Sequence, residues 1–316
     1  MKSDDKTHEY RIERLNGENL TDVEKLHAAV YGKIPPHNLF PMKYDTAFAA
    51  IQHVGFIAYN TQNMPVAFYG VIPCFIRFED KIILAAQSAD TMTHPDYRYK
   101  GLFTELASLT YQLCRSSGIQ LVFGFPNQNS LQGFITKLGC DRGQNLYCFV
   151  IPCAVFSLKR FLGKIPAFRN WYKMYRQKVL KKYLLSQHGI ANSVFNDGYA
   201  GVYRDHHYRK YKTYTNNDVI KIGDSTLWVK TNNELLIGDI LVKPEDFEGM
   251  MDKLKKIARK MGIKEIHFHS SPDTTLYNLF AASYESIQSF AVIFKDFTDS
   301  LKTDKIKFTS ADIDTF

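Results

Sequence analysis

Cysteine pairs and long apolar runs are missing from this chain of 316 residues. It has only five cysteines and no CxxC pair, which argues against a zinc site or a disulfide framework and favours reduced thiols. No stretch reaches the roughly 20 consecutive apolar residues of a membrane-spanning helix. The first residues contain no apolar core of the kind found in a signal peptide. We therefore expect a cytoplasmic protein without a membrane span.

Acidic residues are missing from one segment, which runs from Arg142 to Asn196. The net charge of the chain is +8 and this segment contributes +10, so the remaining residues together carry −2. One interpretation is a solvated basic connector, and the other is a surface that receives a polyanion or an anionic lipid. The basic residues do not share one helical face, which argues against an interfacial helix. They are Arg142, Lys159, Arg160, Lys164, Arg169, Lys173, Arg176, Lys178, Lys181 and Lys182.

Strand and helix patterns alternate in both halves of the chain, which is typical of an α/β fold with a mixed sheet. We predict a first domain over residues 1–153 and a basic helical connector over 154–197. A second domain follows over 198–300, and 301–316 is a polar, loose tail.

Within the first domain the sequence predicts a helix over Tyr44–Ile51 and, at the end of that domain, a strand over Leu146–Pro152. At the end of the second domain it predicts a strand over Gln288–Phe294.

The loop from Thr93 to Thr104 carries the clearest chemical signal. It lies between an apolar strand and a helix, so its backbone amides point at the N-terminus of that helix, where an anion is stabilised. Gly101 permits a close backbone approach or a positive φ. Arg98 and Lys100 add positive charge, and Thr104 adds a hydroxyl. A pyrophosphate fits such a loop.

The residues Thr93, Pro95, Arg98 and Gly101 fall at the spacing of the acetyl-coenzyme A loop of the GNAT superfamily of N-acetyltransferases. Residues 10–152 resemble the superfamily's usual order of strands and helices. Asn127–Ser130 and Lys137–Cys140 resemble its second motif. Phe103 departs from the Gly or Ala that usually ends the loop. The resemblance implies a GNAT fold in the first half and acetyl-CoA as the acetyl donor.

The resemblance also implies which residues hold acetyl-CoA. The pantetheine arm would run between two separating strands and bond to Met92 and Thr93. The pyrophosphate would be held by the loop and first helical turn, and Asn127 or Asn129 would lie near the far side of the donor. The loop and helix residues are Arg98, Tyr99, Lys100, Gly101, Leu102, Phe103 and Thr104.

Catalysis would need a base that takes a proton from the attacking amine. Asp90 is the candidate, because it is the lone acid in the run Ile82–Thr93. The alternative is that Asp90 is a hydrogen-bonded strand residue, and His94 is a weaker candidate base. The tyrosine that protonates the thiolate in many GNAT enzymes is replaced by Ile135, which leaves the general acid open. The histidines offer no ligand set, so we expect no metal.

The second half resembles a degenerate GNAT repeat. Its strand ends at Pro244, but acids open the following helix at Glu245, Asp246 and Glu248, where they would repel a pyrophosphate. We therefore expect one donor site per chain, in the first half.

The function predicted from these observations is transfer of an acetyl group from acetyl-CoA to an amine, such as that of an amino sugar or another small molecule. Two alternatives stay open. One is a Fem-type aminoacyl transferase that uses charged tRNA, although the intact loop argues against a nucleic-acid partner. The other is a non-catalytic module that binds acyl-CoA. Oligomeric state is not specified by the sequence.

Overall fold

The structure is a computed structural model that describes residues 10–153 and 166–316. Its strands are β1 (Arg11–Arg14), β2 (Val54–Tyr59), β3 (Pro65–Phe78), β4 (Lys81–Thr93), β5 (Leu121–Gly124), β6 (Asp141–Arg142), β7 (Tyr147–Pro152), β8 (Gly201–Val202), β9 (Asp218–Ile222), β10 (Ser225–Thr231), β11 (Leu235–Leu241), β12 (Glu265–Ser270), β13 (Ser286–Gln288) and β14 (Ile293–Asp296). Its helices are α1 (Leu20–Tyr31), α2 (Leu39–Tyr44), α3 (Leu102–Ser116), α4 (Gln128–Thr136), α5 (Pro166–Lys181), α6 (His206–Tyr211), α7 (Phe247–Lys260) and α8 (Thr275–Ala281).

These residues form two compact units, each assembled from separate parts of the chain. The first unit contains the described residues up to Ile76, together with Lys81–Gly143 and Ala291–Thr303. The second contains Arg77–Asp80, the described residues of 144–290, and Asp304–Phe316. The units therefore do not follow the predicted boundary at residue 153.

The sheet of the first unit has the strand order β1-β2-β3-β4-β5-β14-β6. β4 and β5 are parallel and pair from Ala85 opposite Leu121 to Ser88 opposite Gly124. β5 ends there, whereas β4 continues to Thr93. The last five residues of β4 therefore extend beyond the end of β5 and border a gap in the sheet.

Helices cover both faces of this sheet. Successive strand residues point to opposite sides, so each face contributes to its own buried cluster. The α3 side chains Leu102, Leu106 and Cys114 belong to one buried cluster, which also contains Ala58 of β2. Alternate β2 residues face the other way and join α1 and α2 in a second buried cluster. The sheet is thus the middle of three layers.

The sheet of the second unit has the order β13-β7-β12-β11-β10-β9. β11 and β12 are parallel, with Leu235 opposite Ile266, and the other strand pairs are antiparallel. α7 packs its apolar face, including Phe247, Leu254 and Ala258, into the core of this unit. The second sheet thus contains one parallel strand pair beside antiparallel pairs.

Each unit contains a strand from the other half of the sequence. β7, predicted to close the first domain, pairs with β12 and β13 in the second sheet. The predicted strand over Gln288–Phe294 is wrong, because the chain breaks there into β13 in the second sheet and β14 in the first. Hydrophobic periodicity specifies which face of a strand is buried but not which strand it pairs with.

The predicted helix over Tyr44–Ile51 is also wrong. α2 ends at Tyr44, and Ala47–Ala49 form a short 3-10 turn. Pro41 lies in the first turn of α2, where a helix does not need the missing amide hydrogen. Pro41 is therefore compatible with the start of α2.

The segment predicted to be a loose tail is packed. Ile306, Phe308, Ala311 and Phe316 are buried, and so is the carboxylate of Asp312. Asp312 accepts a hydrogen bond from the buried Arg204 guanidinium at 2.8 Å between Nη2 and Oδ1. The buried apolar residues are separated by polar ones, so the mostly polar composition of the segment led to the prediction of a loose tail.

Part of the basic segment can be followed in the structure. Lys178, Lys181 and Lys182 are exposed, whereas Lys159, Arg160 and Lys164 lie outside the described residues. Among the described helices, none is both long and apolar enough to cross a membrane. All five cysteines are free thiols and buried.

Candidate active site

The predicted sequence of strand, loop and helix is confirmed at Thr93–Thr104. β4 ends at Thr93, Pro95–Tyr97 form one 3-10 turn, and α3 begins at Leu102. Gly101 is the N-cap of α3 with φ of +86°, a conformation that favours glycine. A Cβ built on Gly101 meets no atom within 4 Å, so its Cα borders open space. The first amides of α3 have no acceptor within the helix and are available to an anion.

An open cleft of about 690 Å³ lies against this loop, within the first unit. Ten of the eleven residues predicted to hold the donor line it: Met92, Thr93, Arg98, Tyr99, Gly101, Leu102, Phe103, Thr104, Asn127 and Asn129. Lys100 is the exception, and its ammonium nitrogen lies 4.9 Å from the centroid of the Tyr97 ring. The cleft thus combines residues from β4, the loop, α3 and α4.

The charges around the cleft have one sign. Arg98 and Lys137 are among its lining residues, and none of the described lining residues is acidic. The N-terminus of the 15-residue helix α3 adds a partial positive charge at the same place. An anionic ligand is therefore favoured electrostatically.

Asn127 has a structural task at the start of α4. Its side-chain oxygen accepts hydrogen bonds from the amides of Asn129 and Ser130, at 2.9 and 3.1 Å. This N-cap fixes the end of α4 that faces the cleft. The Asn129 side chain is exposed at the same end.

Phe103 departs from the usual loop pattern without covering the loop. Its ring centroid lies 5.1 Å from that of Phe134 in α4. A Cβ built on Gly133 would come within 2.9 Å of the Phe103 ring, so glycine at this position of α4 allows the ring to pack there. Phe103 thus points towards α4 and contributes to a cleft wall.

The position of the usual tyrosine offers no hydroxyl. Ile135 is half-buried in α4 and does not line the cleft, and the adjacent Phe134 is buried. Sequence reasoning missed Val30 and Tyr31 at the end of α1, which do line the cleft. Tyr31 is 53% exposed, but an aromatic residue at a helix end was not enough to assign it to a site.

Asp90 lies in the stretch of β4 beyond β5, with φ of +49°. Its Oδ2 accepts from the buried Lys43 ammonium at 2.7 Å and from the Tyr44 hydroxyl at 3.0 Å. Asp90 is not among the residues that line the cleft. This geometry favours an ion pair that ties α2 to β4, and a catalytic role for Asp90 stays a prediction. The burial of Lys43 was not predicted, because a lysine in a short helix gives no sign of burial.

His94, the other candidate base, caps the 3-10 turn before the loop. Its Nδ1 accepts from the amide of Asp96 at 3.3 Å, and the residue does not line the cleft.

A chain of hydroxyls from the buried Tyr69 and Tyr111 and the half-buried Ser88 lies where the pairing of β4 and β5 ends. The Tyr69 hydroxyl lies 2.9 Å from Ser88 Oγ and donates to the Tyr111 hydroxyl at 3.3 Å. Burial raises the pKa of Tyr69 and of Tyr111 above the ordinary phenol range. Both phenols therefore stay protonated at neutral pH and act as hydrogen-bond donors.

Among the described residues, no cluster of three or more His, Cys, Asp or Glu side chains could hold a metal ion. His267 instead pairs with Glu265 at 3.0 Å.

Comparisons with known proteins agree with this geometry. Residues 11–143 match the family model described as Acetyltransferase (GNAT) domain. A comparison with curated proteins gives no match.

Solved structures share the fold over most of the chain. One is a GCN5-related N-acetyltransferase from Kribbella flavida, with a TM-score of 0.59 and 12% identity, over 91% of this chain and 72% of that one. Another is a GCN5-related N-acetyltransferase from Anabaena variabilis, with a TM-score of 0.56 and 13% identity over the same shares. At such identities the likeness concerns the fold alone.

Proposed function

We propose that the chain is an N-acetyltransferase that uses acetyl-CoA as the donor and binds it in the cleft of the first unit. The observation that carries this proposal is the cleft's single sign of charge at the N-terminus of α3. Arg98 and Lys137 line it together with the first turn of that helix, and no acid is among its described lining residues. The match of residues 11–143 to the GNAT domain supports the same donor.

The cleft residues suit the parts of acetyl-CoA in order. The diphosphate would accept hydrogen bonds from the first amides of α3, with Arg98 as a charged partner. The pantetheine arm would follow the part of β4 beyond Ser88, where Met92 and Thr93 offer backbone groups that β5 does not reach. Asn129, at the start of α4, would border the far side.

Acetyl transfer would proceed directly from the thioester to the amine. The amine nitrogen attacks the carbonyl carbon and forms the C–N bond, the C–S bond breaks, and the sulfur leaves with the electron pair. The amine loses one proton, and the thiolate gains one to become the CoA thiol. A backbone amide of β4 would stabilise the oxyanion that develops on the carbonyl oxygen.

The base and the acid are the open parts of this mechanism. Asp90 would act through water if it is the base, because it does not line the cleft. The acid position lacks a hydroxyl at Ile135, and an unassisted thiolate is tolerable because a free thiol has a pKa of about 8.5.

We infer that the second unit is a degenerate repeat that holds no donor. It has the parallel pair β11–β12 in the place of β4–β5, followed by a 3-10 turn and α7. Glu245, Asp246 and Glu248 at that helix start would repel a diphosphate.

The five buried free thiols suit a reducing compartment, in keeping with a cytoplasmic enzyme.

The release of CoA thiol from acetyl-CoA tests whether the chain is an enzyme. The alternative is a non-catalytic acyl-CoA-binding module, and the lack of a hydroxyl at Ile135 favours that alternative. The pure chain is mixed with acetyl-CoA and a panel of amino sugars and other small amines, and free CoA thiol is measured against a sample without amine. We expect release that depends on one class of amine and is lost in Gly101→Val. Tight acetyl-CoA binding without release for any amine would favour a binding module instead.

A further inference from the structure

Tyr99 combines two features that cost stability in the loop beside the cleft. Its side chain is fully exposed, and its backbone has φ of +66°, which bulky residues rarely adopt. No ring contact or hydrogen bond engages the Tyr99 side chain within the described residues. The fold itself therefore gives no reason for an aromatic side chain at this position.

The neighbouring Tyr97 shows what a structural aromatic looks like here. Its ring lies edge-on to Tyr10 and to His94, at centroid distances of 6.2 and 5.7 Å. Its hydroxyl accepts from the Asn60 side chain at 2.8 Å, and Lys100 lies over its ring. Tyr97 is thus used by the protein, whereas Tyr99 presents its ring to solvent.

The position of Tyr99 suggests what covers the ring. Tyr99 lines the cleft between Arg98 and Gly101, next to the amides that would hold the diphosphate. In CoA a single ribose joins the diphosphate to adenine. With the diphosphate at the α3 amides, the adenine would therefore lie within reach of Tyr99 at the edge of the cleft. Aromatic side chains stack on any base, because every base has a π-face.

We propose that the Tyr99 ring stacks on the adenine of acetyl-CoA and forms the binding surface for that end of the donor. The inference rests on the proposed function, because it takes acetyl-CoA as the ligand. The exposed ring at the edge of the cleft is accessible to a base bound there.

Two ligands and two variants test this inference by isothermal titration. S-acetyl-4′-phosphopantetheine keeps the arm and one phosphate but lacks the adenosine. Tyr99→Phe keeps a ring that can stack. Tyr99→Asn removes the ring but tolerates a positive φ, so the loop retains its backbone.

We expect Tyr99→Asn to weaken acetyl-CoA about tenfold, within the range that base stacking spans, and to leave S-acetyl-4′-phosphopantetheine unchanged. Tyr99→Phe should bind both ligands like the wild type. Unchanged acetyl-CoA binding in Tyr99→Asn, or equal weakening of both ligands, would overturn the stacking role. A wild-type chain that binds neither ligand would overturn the proposed function and this inference with it.

Discussion

Asp90 has two candidate roles, as the catalytic base and as one member of a buried ion pair. Lys43 is buried against it, so Asp90→Asn would remove a carboxylate that this buried ammonium contacts. Removing one member of a buried ion pair typically costs about 3–5 kcal/mol. We expect Asp90→Asn to lower the melting temperature clearly, whatever its effect on catalysis.

A double variant separates the two roles of Asp90. Asp90→Asn with Lys43→Met removes both charges and should recover much of the lost melting temperature. If Asp90 is also the base, kcat of the double variant stays about 10²–10⁴-fold below the wild type, and the acidic limb of its pH–rate profile disappears. Wild-type turnover per folded molecule in the double variant would end the catalytic claim.

His269 on β12 should make the second unit sensitive to acid. Burial, aided by the neighbouring His267, lowers the pKa of His269 from its ordinary 6.5 to about 4. The unfolded chain therefore binds a proton between these values that the folded chain does not, and stability falls as the pH drops from about 6.5 to about 4.

The comparison with His269→Gln isolates this effect from the carboxylates. We expect the melting temperature of the wild type to fall relative to that of the variant over this pH range. Above pH 7 the difference between the two should be constant. A difference that does not change between pH 7 and pH 4 would show that His269 titrates normally.

At the scale of elements, we expect the loop before α3 to bind the diphosphate of acetyl-CoA through the Arg98 side chain. A charge-assisted hydrogen bond is worth about 1.5–3 kcal/mol when it is desolvated, and Arg98 is exposed, so we expect the lower end. Arg98→Ala should weaken acetyl-CoA roughly tenfold without changing the melting temperature. Arg142→Ala on β6 changes the net charge equally at a residue that does not line the cleft and should leave affinity unchanged. Equal affinity of all three proteins would remove Arg98 from the site.

Local patterns predicted the elements on either side of the loop. The apolar stretch before Thr93 and the helical pattern after Gly101 correspond to β4 (Lys81–Thr93) and α3 (Leu102–Ser116). The loop between them was found because strand, proline, cation and glycine occur at fixed spacing. Such features depend on neighbours in the sequence and are visible in it.

Features that depend on distant partners were not predicted. The Lys43–Asp90 pair joins residues 47 apart along the sequence, and the Arg204–Asp312 pair joins residues 108 apart. The exchange of β7 and β14 likewise depends on which sheet edge each strand meets. Periodicity reports burial, whereas the partner of a buried group depends on the fold as a whole.

At the scale of the whole molecule, the first unit needs a strand from the far end of the chain. A chain of residues 10–153 carries β7 without its partners and lacks β14, which leaves the edge of β5 open. Exposed sheet edges promote aggregation. We expect this predicted domain to be insoluble or to melt without cooperativity.

A rearranged chain provides the matched control. The amide of Gly143 donates to the carbonyl oxygen of Val292 at 2.9 Å, and β14 runs antiparallel to β6. A short glycine-rich turn can therefore join residues 10–143 to 291–303. We expect this chain to melt cooperatively and to bind acetyl-CoA, and equal solubility of the two chains would contradict the need for β14.

Calorimetric titration of the intact chain with acetyl-CoA is the most direct test of the proposed donor site. We expect one site per chain, because the first unit has a cationic cleft at α3 and the second has acids at α7. Binding should be lost when Arg98→Ala and Gly101→Val are combined, and it should persist in Pro244→Ala at the corresponding turn of the second unit. No binding, two equivalent sites, or binding that survives the combined substitution would contradict a donor site in the first unit.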